Sequence, residues 1–80
     1  MSDQPLLPSA YQDRLTFDHY VSETFPVVKG TWVTTAQIIN HIVGGYTWAD
    51  ILRMHPELRE EDIETCLRYT VDQENERRIP

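Results

Sequence analysis

Residues 34–71 read TTAQIINHIVGGYTWADILRMHPELREEDIETCLRYTV, and this stretch decides the fold. Thr34 and Gln37 have the spacing of a capping box, in which two residues satisfy each other's backbone N–H groups at a helix start. Ile38, Ile39, Ile42 and Val43 follow at i, i+1, i+4 and i+5, a wide apolar stripe on one helix face. Gly44-Gly45 stops that helix, because glycine accepts the left-handed conformation that closes a C-terminus. Thr47 caps a second, short helix over 47–54, with Asp50 at the positive end of its dipole and Trp48, Ile51 and Leu52 on its buried face. Pro56 ends it by His55, since the residue before a proline avoids the helical region. A third helix is predicted from about Glu60 into the low seventies. Glu60, Glu61 and Asp62 suit its N-terminus, and Ile63, Cys66, Leu67 and Val71 share one face flanked by Tyr69 and Thr70.

N-terminal to these helices the pattern changes. Leu15, Phe17 and Val21 are apolar at odd positions, a strand signal. Pro26-Val27-Val28 and Thr31-Trp32-Val33 flank Lys29-Gly30, which fits either a tight turn between two short strands or one bent extended stretch. Residues 1–13, with Pro5 and Pro8 among Ser, Asp and Gln, read as a flexible arm on which Leu6, Leu7 and Tyr11 are the groups able to dock. Residues 73–80 read as a polar tail that frays. The expected architecture is therefore mainly α: a three-helix, helix-turn-helix-like (homeodomain-like) bundle over residues 14–72 with short N-terminal β-strands.

Eighty residues suffice for one domain. A chain this short buries only about 60–65% of its unfolded surface, so its core is marginal and a partner subunit helps. The formal net charge is −6, which argues against simple phosphate gripping and fits a basic protein partner better. Cys66 is the only cysteine, so neither an intrachain disulfide nor a cysteine-rich zinc site can form. No basic-then-apolar leader opens the chain and no apolar run reaches about 18 residues, so a cytoplasmic protein away from the membrane is expected.

Read in order, Arg14-Leu-Thr-Phe-Asp18, Pro26-Val-Val-Lys-Gly-Thr31, Gly45-Tyr-Thr47, Ile51-Leu52, His55-Pro-Glu-Leu58 and Glu61-Asp-Ile63 form a set. This set resembles the domain of unknown function 433 family, whose pattern runs R-I-T, G-K-P-x-I-x-G-T-R, an aliphatic helix, G-x-S/T, an I-L pair, Y-P-x-L and E-D-I. The likeness covers about residues 14–71 without a gap. It implies a homeodomain-like fold and, for part of the family, an antitoxin-like role beside PIN-like ribonuclease toxins. It brings no catalytic residues. Thr24 stands where the pattern has its first glycine, Phe25 where it has lysine and Trp32 where it has arginine. Two cationic positions have thus become aromatic, and DNA binding does not carry over through this segment.

The residues offer little for catalysis. His19, His41 and His55 are far apart in sequence and lack ligand spacing, so no metal is expected. Cys66 lies on an apolar face with Asp62 and Glu64 close in sequence, the setting of a core thiol and not of a nucleophile. Gly30, Gly44 and Gly45 form no phosphate-binding loop. The acidic run Glu57, Glu60, Glu61, Asp62 and Glu64 lacks calcium-loop spacing and reads as a solvated helix start. No catalytic, metal or cofactor site is therefore expected.

A binding role uses other residues. Phe17 and Trp48 are assigned to the core, while Phe25, Val27, Val28, Trp32, Tyr46 and Tyr69 are candidates for a dimer or partner interface, since aromatics are enriched there. The extended segment 26–33 has an edge that a second copy could pair with, which points to a homodimer. For nucleic acid the candidates are Arg53, Arg59 and Arg68. The acidic start of the third helix opposes unaided DNA reading, so DNA enters mainly within a complex whose partner supplies cations. The sequence-based expectation is an antitoxin-like, non-enzymatic protein that neutralises a PIN-like toxin and shares in operator binding. The alternative is a stand-alone DNA-binding regulator.

Overall fold

The computed structural model describes residues 7–78, with side-chain surroundings through Asn75. Its elements are a 3-10 turn at Ser9–Tyr11, β1 (Leu15–Thr16), β2 (Val27–Val28), α1 (Thr35–Val43), α2 (Trp48–Met54) and α3 (Glu60–Arg78). The expected mainly helical three-helix bundle with short N-terminal strands is present. Residues 1–6 of the expected arm, Leu6 included, and the last two residues of the expected tail lie outside the described residues.

The predicted capping box forms at α1, and a second one forms at α2, where Thr47 was expected as the N-cap. The Thr34 hydroxyl accepts from the Gln37 N–H while the Gln37 side chain accepts from the Thr34 N–H. Thr47 and Asp50 do the same at α2. The Gly pair also behaves as read. Gly45 has φ +98, its N–H reaches the Ile42 carbonyl, and the Tyr46 N–H reaches the His41 carbonyl, the two bonds of a Schellman ending. α3 begins with half a box, for the Asp62 carboxylate accepts from the Arg59 N–H at 2.9 Å.

The extended region is tighter than its sequence suggested. β1 pairs antiparallel with β2, Leu15 opposite Val28 and Thr16 opposite Val27. On its other side β2 meets residues 33–34, through Val28 N–H to the Val33 carbonyl and a Val27–Thr34 bridge. Of the two alternatives at Lys29-Gly30, the tight turn is the one formed. The Thr31 N–H bonds back to the Val28 carbonyl, and Gly30 takes φ +78, which a side chain would strain. Phe17 and Val21 do not continue the strand, because the chain turns at Asp18, whose carbonyl accepts from the Val21 and Ser22 N–H groups.

The core joins one fully buried isoleucine from each helix, Ile38, Ile51 and Ile63, to Leu15, Val28, Val33, Leu58 and Cys66. Several expectations need correction here. Val43 is 80% exposed and Val71 56% exposed, so the apolar stripes of α1 and α3 are narrower than their sequence patterns. Trp48, placed in the core by its spacing, is exposed at the first residue of α2. Phe17 is half-buried against the core.

The second part of the expected arm is docked, through the residues its sequence offered for docking. Leu7 and Tyr11 are buried, and the Tyr11 ring meets Tyr69 edge-on at 5.5 Å. The Tyr11 hydroxyl donates to Asp72. Arg14 then reaches Asp62 at 3.1 Å, tying the start of β1 to the start of α3. α3 runs on through residues 73–78, into the stretch read as a polar tail. No glycine or proline interrupts that stretch, and Gln, Glu and Arg are good helix formers.

Burial, with the negative charge of Asp62 added, pushes the Cys66 thiol up to about 12, above the ordinary 9. The native state therefore holds its proton while the unfolded thiol ionises. Stability should be unaffected by this group below pH 9 and fall by up to ~1.4 kcal/mol per pH unit between there and about 12. Urea melts across that window, compared with Cys66→Ala, will show the slope shrinking in the variant. Ile38→Ala should cost about 3 kcal/mol, enough to threaten folding of so small a domain, as measured by circular dichroism melts. Arg14→Ala should cost about 1–2 kcal/mol, since it strips a buried carboxylate of its cation while the half-exposed arginine itself is partly screened.

Candidate functional site

Three of the arginines are held in ion pairs. Arg53 pairs with Asp50 one helical turn away, and Arg68 lies 3.7 Å from Glu64 on α3. Arg14 is spent on Asp62. Arg59 is exposed beside Glu60 and Glu61, and among the described residues no ion pair joins it. Along α3 the exposed described side chains include Glu60, Glu61, Glu64, Asp72 and Glu74 against Arg68 alone among cations. Asp62 is the exception in the acidic run, being buried and doubly bonded. The three candidate arginines thus form no shared basic patch, and the outer face of α3 repels phosphate.

The candidate interface residues separate into three groups. Val27 and Val28 are each 2% exposed, held between β1 and residues 33–34, so they belong to the interior and cannot meet a partner. Trp32 is 76% exposed just past the Gly30 turn, and Tyr46 is half exposed beyond the α1 ending. Phe25 and Tyr69 come together at a groove of about 320 Å³ between α1 and α3, with Ala36 and Ile39 as apolar lining and Thr24, Asn40, Gln73 and Glu74 as polar lining. Tyr69 is 9% exposed, a core residue that shows only an edge there. Phe25 and Trp32, the two aromatics at cationic positions of the family pattern, make no ring contact with each other among the described residues and face solvent instead.

One association escaped the sequence reading. His41, in the last turn of α1, and His55, at the end of α2, lie with ring centres 5.7 Å apart, and Tyr46 meets His41 from another side at 5.5 Å. A partner carbonyl can only accept, so the 2.6 Å contact of His41 Nδ1 with the Gln37 carbonyl fixes the proton on Nδ1. His55 Nδ1 is 3.9 Å from a Glu57 carboxylate oxygen. Fourteen residues of separation hid this pair, and the only sequence hint was that each histidine ends a helix on the same hairpin. Among the described residues no three His, Cys, Asp or Glu side chains gather as a ligand set.

No helix of the structure is long and apolar enough to cross a membrane among the described residues. Asp50 is held below the ordinary carboxylate range by the Thr47 backbone and hydroxyl bonds and by Arg53, a capping effect and not a catalytic one. Cys66 is buried and neutral, beside a carboxylate, the opposite of an activated thiol.

No curated protein and no solved structure matches the chain. The sequence model of a family described as "Protein of unknown function (DUF433)" matches residues 16–70. Those residues run from the end of β1 through most of α3 and cover more than half of the chain, so the chain belongs to the DUF433 family.

Proposed function

We propose that this chain is an antitoxin-like, non-enzymatic binding protein whose partner is a cationic protein of the PIN-like ribonuclease toxin class that its family resemblance implies. One observation carries the proposal: solvent-facing aromatics sit on a surface rich in acids. Phe25, Trp32, Tyr46 and Trp48 are all exposed, while the outer face of α3 is dominated by glutamates. Large apolar rings supply desolvation energy at an interface core, and uncompensated acidic charge speeds encounter with a basic partner. The Phe25 groove gives a side chain of that partner somewhere to insert. The exposed Trp32 turn supports a homodimer as part of the same assembly.

The alternative of a stand-alone DNA-binding regulator has less support. Two of its three candidate arginines are paired within their own helices, and the start of α3, where a recognition helix would meet bases, carries exposed glutamates. Operator binding fits better as a property of a complex in which the partner brings the cations. An enzyme has less support still, since the described residues bring no activated nucleophile to a base.

The reading expects a PIN-like toxin gene beside this one, and the test is co-expression with a PIN-like toxin encoded there. The antitoxin reading expects restored growth and a complex that survives purification. Trp32→Ala should weaken the complex at least about tenfold while leaving the thermal melt nearly unchanged, because its ring is 76% exposed, and Phe25→Ala should weaken it likewise with a small loss of stability from its groove contacts. Complex formation should slow as salt rises. A salt-sensitive shift of operator DNA by the chain alone, with no effect on the toxin, would favour the regulator and end this proposal.

A further inference from the structure

We infer that the turn carrying Lys29 and Trp32 in one copy of this chain inserts into the α1–α3 groove of a second copy, and that a two-fold dimer makes this contact twice. The inference names the contact behind the homodimer proposed above and rests on that part of the reading alone.

Both halves of the contact are present in the chain. The turn is pinned from within. The Thr31 N–H and hydroxyl both donate to the Val28 carbonyl, the Val28 N–H donates to the Val33 carbonyl, and the Thr31 hydroxyl accepts from the Val33 N–H. Side chains held on a pre-ordered turn lose less freedom on binding. Trp32 is largely exposed, and the exposed Lys29 joins no ion pair among the described residues. The groove matches this pair in shape and charge. Its volume of about 320 Å³ lies at the lower end of the roughly 300–1,000 Å³ range of ligand pockets. Phe25, Ala36, Ile39 and the edge of Tyr69 form its apolar wall. Glu74, also exposed and in no ion pair among the described residues, stands at its rim. The indole suits the wall, and the ammonium three residues away suits the carboxylate. Trp32 does not line the groove of its own chain.

The placement lets both contacts form at once. Val27 bridges Thr34, and the Thr35 N–H donates to the Pro26 carbonyl, so the base of this hairpin adjoins the wall that Phe25 and Thr35 give the groove. A two-fold axis beside that wall offers each turn to the other copy's groove. Strand pairing is not the means, since β2 is covered on both edges. A net charge of −6 on each copy opposes association, so the dimer is weak and exchanges with monomer. A toxin side chain enters the same groove by displacing one ring while the reciprocal contact holds the pair.

Sedimentation equilibrium of the full chain from about 1 µM to about 1 mM tests the contact. A mass rising from one chain to two is expected. Trp32→Ala should raise the dissociation constant at least about tenfold. Lys29→Glu should raise it about two- to fivefold. Adding Glu74→Lys to Lys29→Glu should restore it, because the exchange returns the pair to opposite signs and the net charge to −6. All three side chains are exposed, and thermal melts check that each variant stays folded. A single-chain mass at every concentration overturns the contact. So does a dimer that Trp32→Ala leaves intact, or one that the charge exchange fails to restore. These outcomes are read on the chain alone, so each leaves toxin neutralisation to its own test.

Discussion

The buried carboxylate of Asp62 is the constraint around which the domain is arranged. An ionised group out of water must be paired and hydrogen-bonded or it destabilises the fold. Asp62 meets both conditions at once. One oxygen takes the Arg14 guanidinium, and the other takes the Arg59 backbone N–H that opens α3. The same residue therefore starts the last helix and fixes where the first strand lies against it. Arg14 in turn offers its carbonyl to the Lys29 N–H, which continues the register that sets Leu15 opposite Val28. Further along α3, Tyr11 repeats the device on Asp72, so the N-terminal segment runs along the helix clamped at two points. This segment supplies Leu7, Tyr11 and Leu15 to a core that three short helices alone would leave open.

The helices were legible in the sequence because their ends are written locally. Thr34 with Gln37, Thr47 with Asp50, and Gly44-Gly45 each act across a few residues, and each does in the structure what its spacing implies. What escaped was every contact between distant parts of the chain. Arg14 and Asp62 are 48 residues apart, and Tyr11 and Asp72 are 61 apart, so neither polar pair leaves a periodic trace. Their absence from the pattern made residues 7–13 look like an arm and Asp62 look like one more solvated acid. It also hid the burial of Tyr69, which depends on Tyr11 arriving from the far end of the chain.

The candidate site was less legible, for a different reason. A run such as Pro26-Val27-Val28 is apolar whether it faces a core or a partner, and only the placement of its neighbours decides between them. Here residues on both sides cover it. Trp48 and Val43 went the other way, since their helical spacing fits a buried face that the short α1–α2 hairpin does not enclose. The acids at i−3 and i−4 hold Arg53 and Arg68 in local pairs, which leaves Arg59 as the unpaired member of the three candidate arginines among the described residues.

The motif that identifies the family is mostly scaffold. Arg14 and Asp62 form the clamp, Val27 and Val28 are interior, Gly30 and Gly45 take the positive φ their turns require, Thr47 caps α2, and Leu58 and Ile63 are core. Membership thus accounts for the fold and leaves function to the positions the scaffold does not use. Phe25 and Trp32 are such positions, and they are also where this chain departs from the family pattern. Both are exposed, so the change from cation to aromatic costs the fold little and falls on the surface. A lysine and an arginine there would favour carboxylate or phosphate on the other side. Two rings favour an apolar or cationic surface instead, because the face of an aromatic attracts positive charge. On a chain of net charge −6, exposed rings at these two positions are consistent with the basic protein partner proposed above.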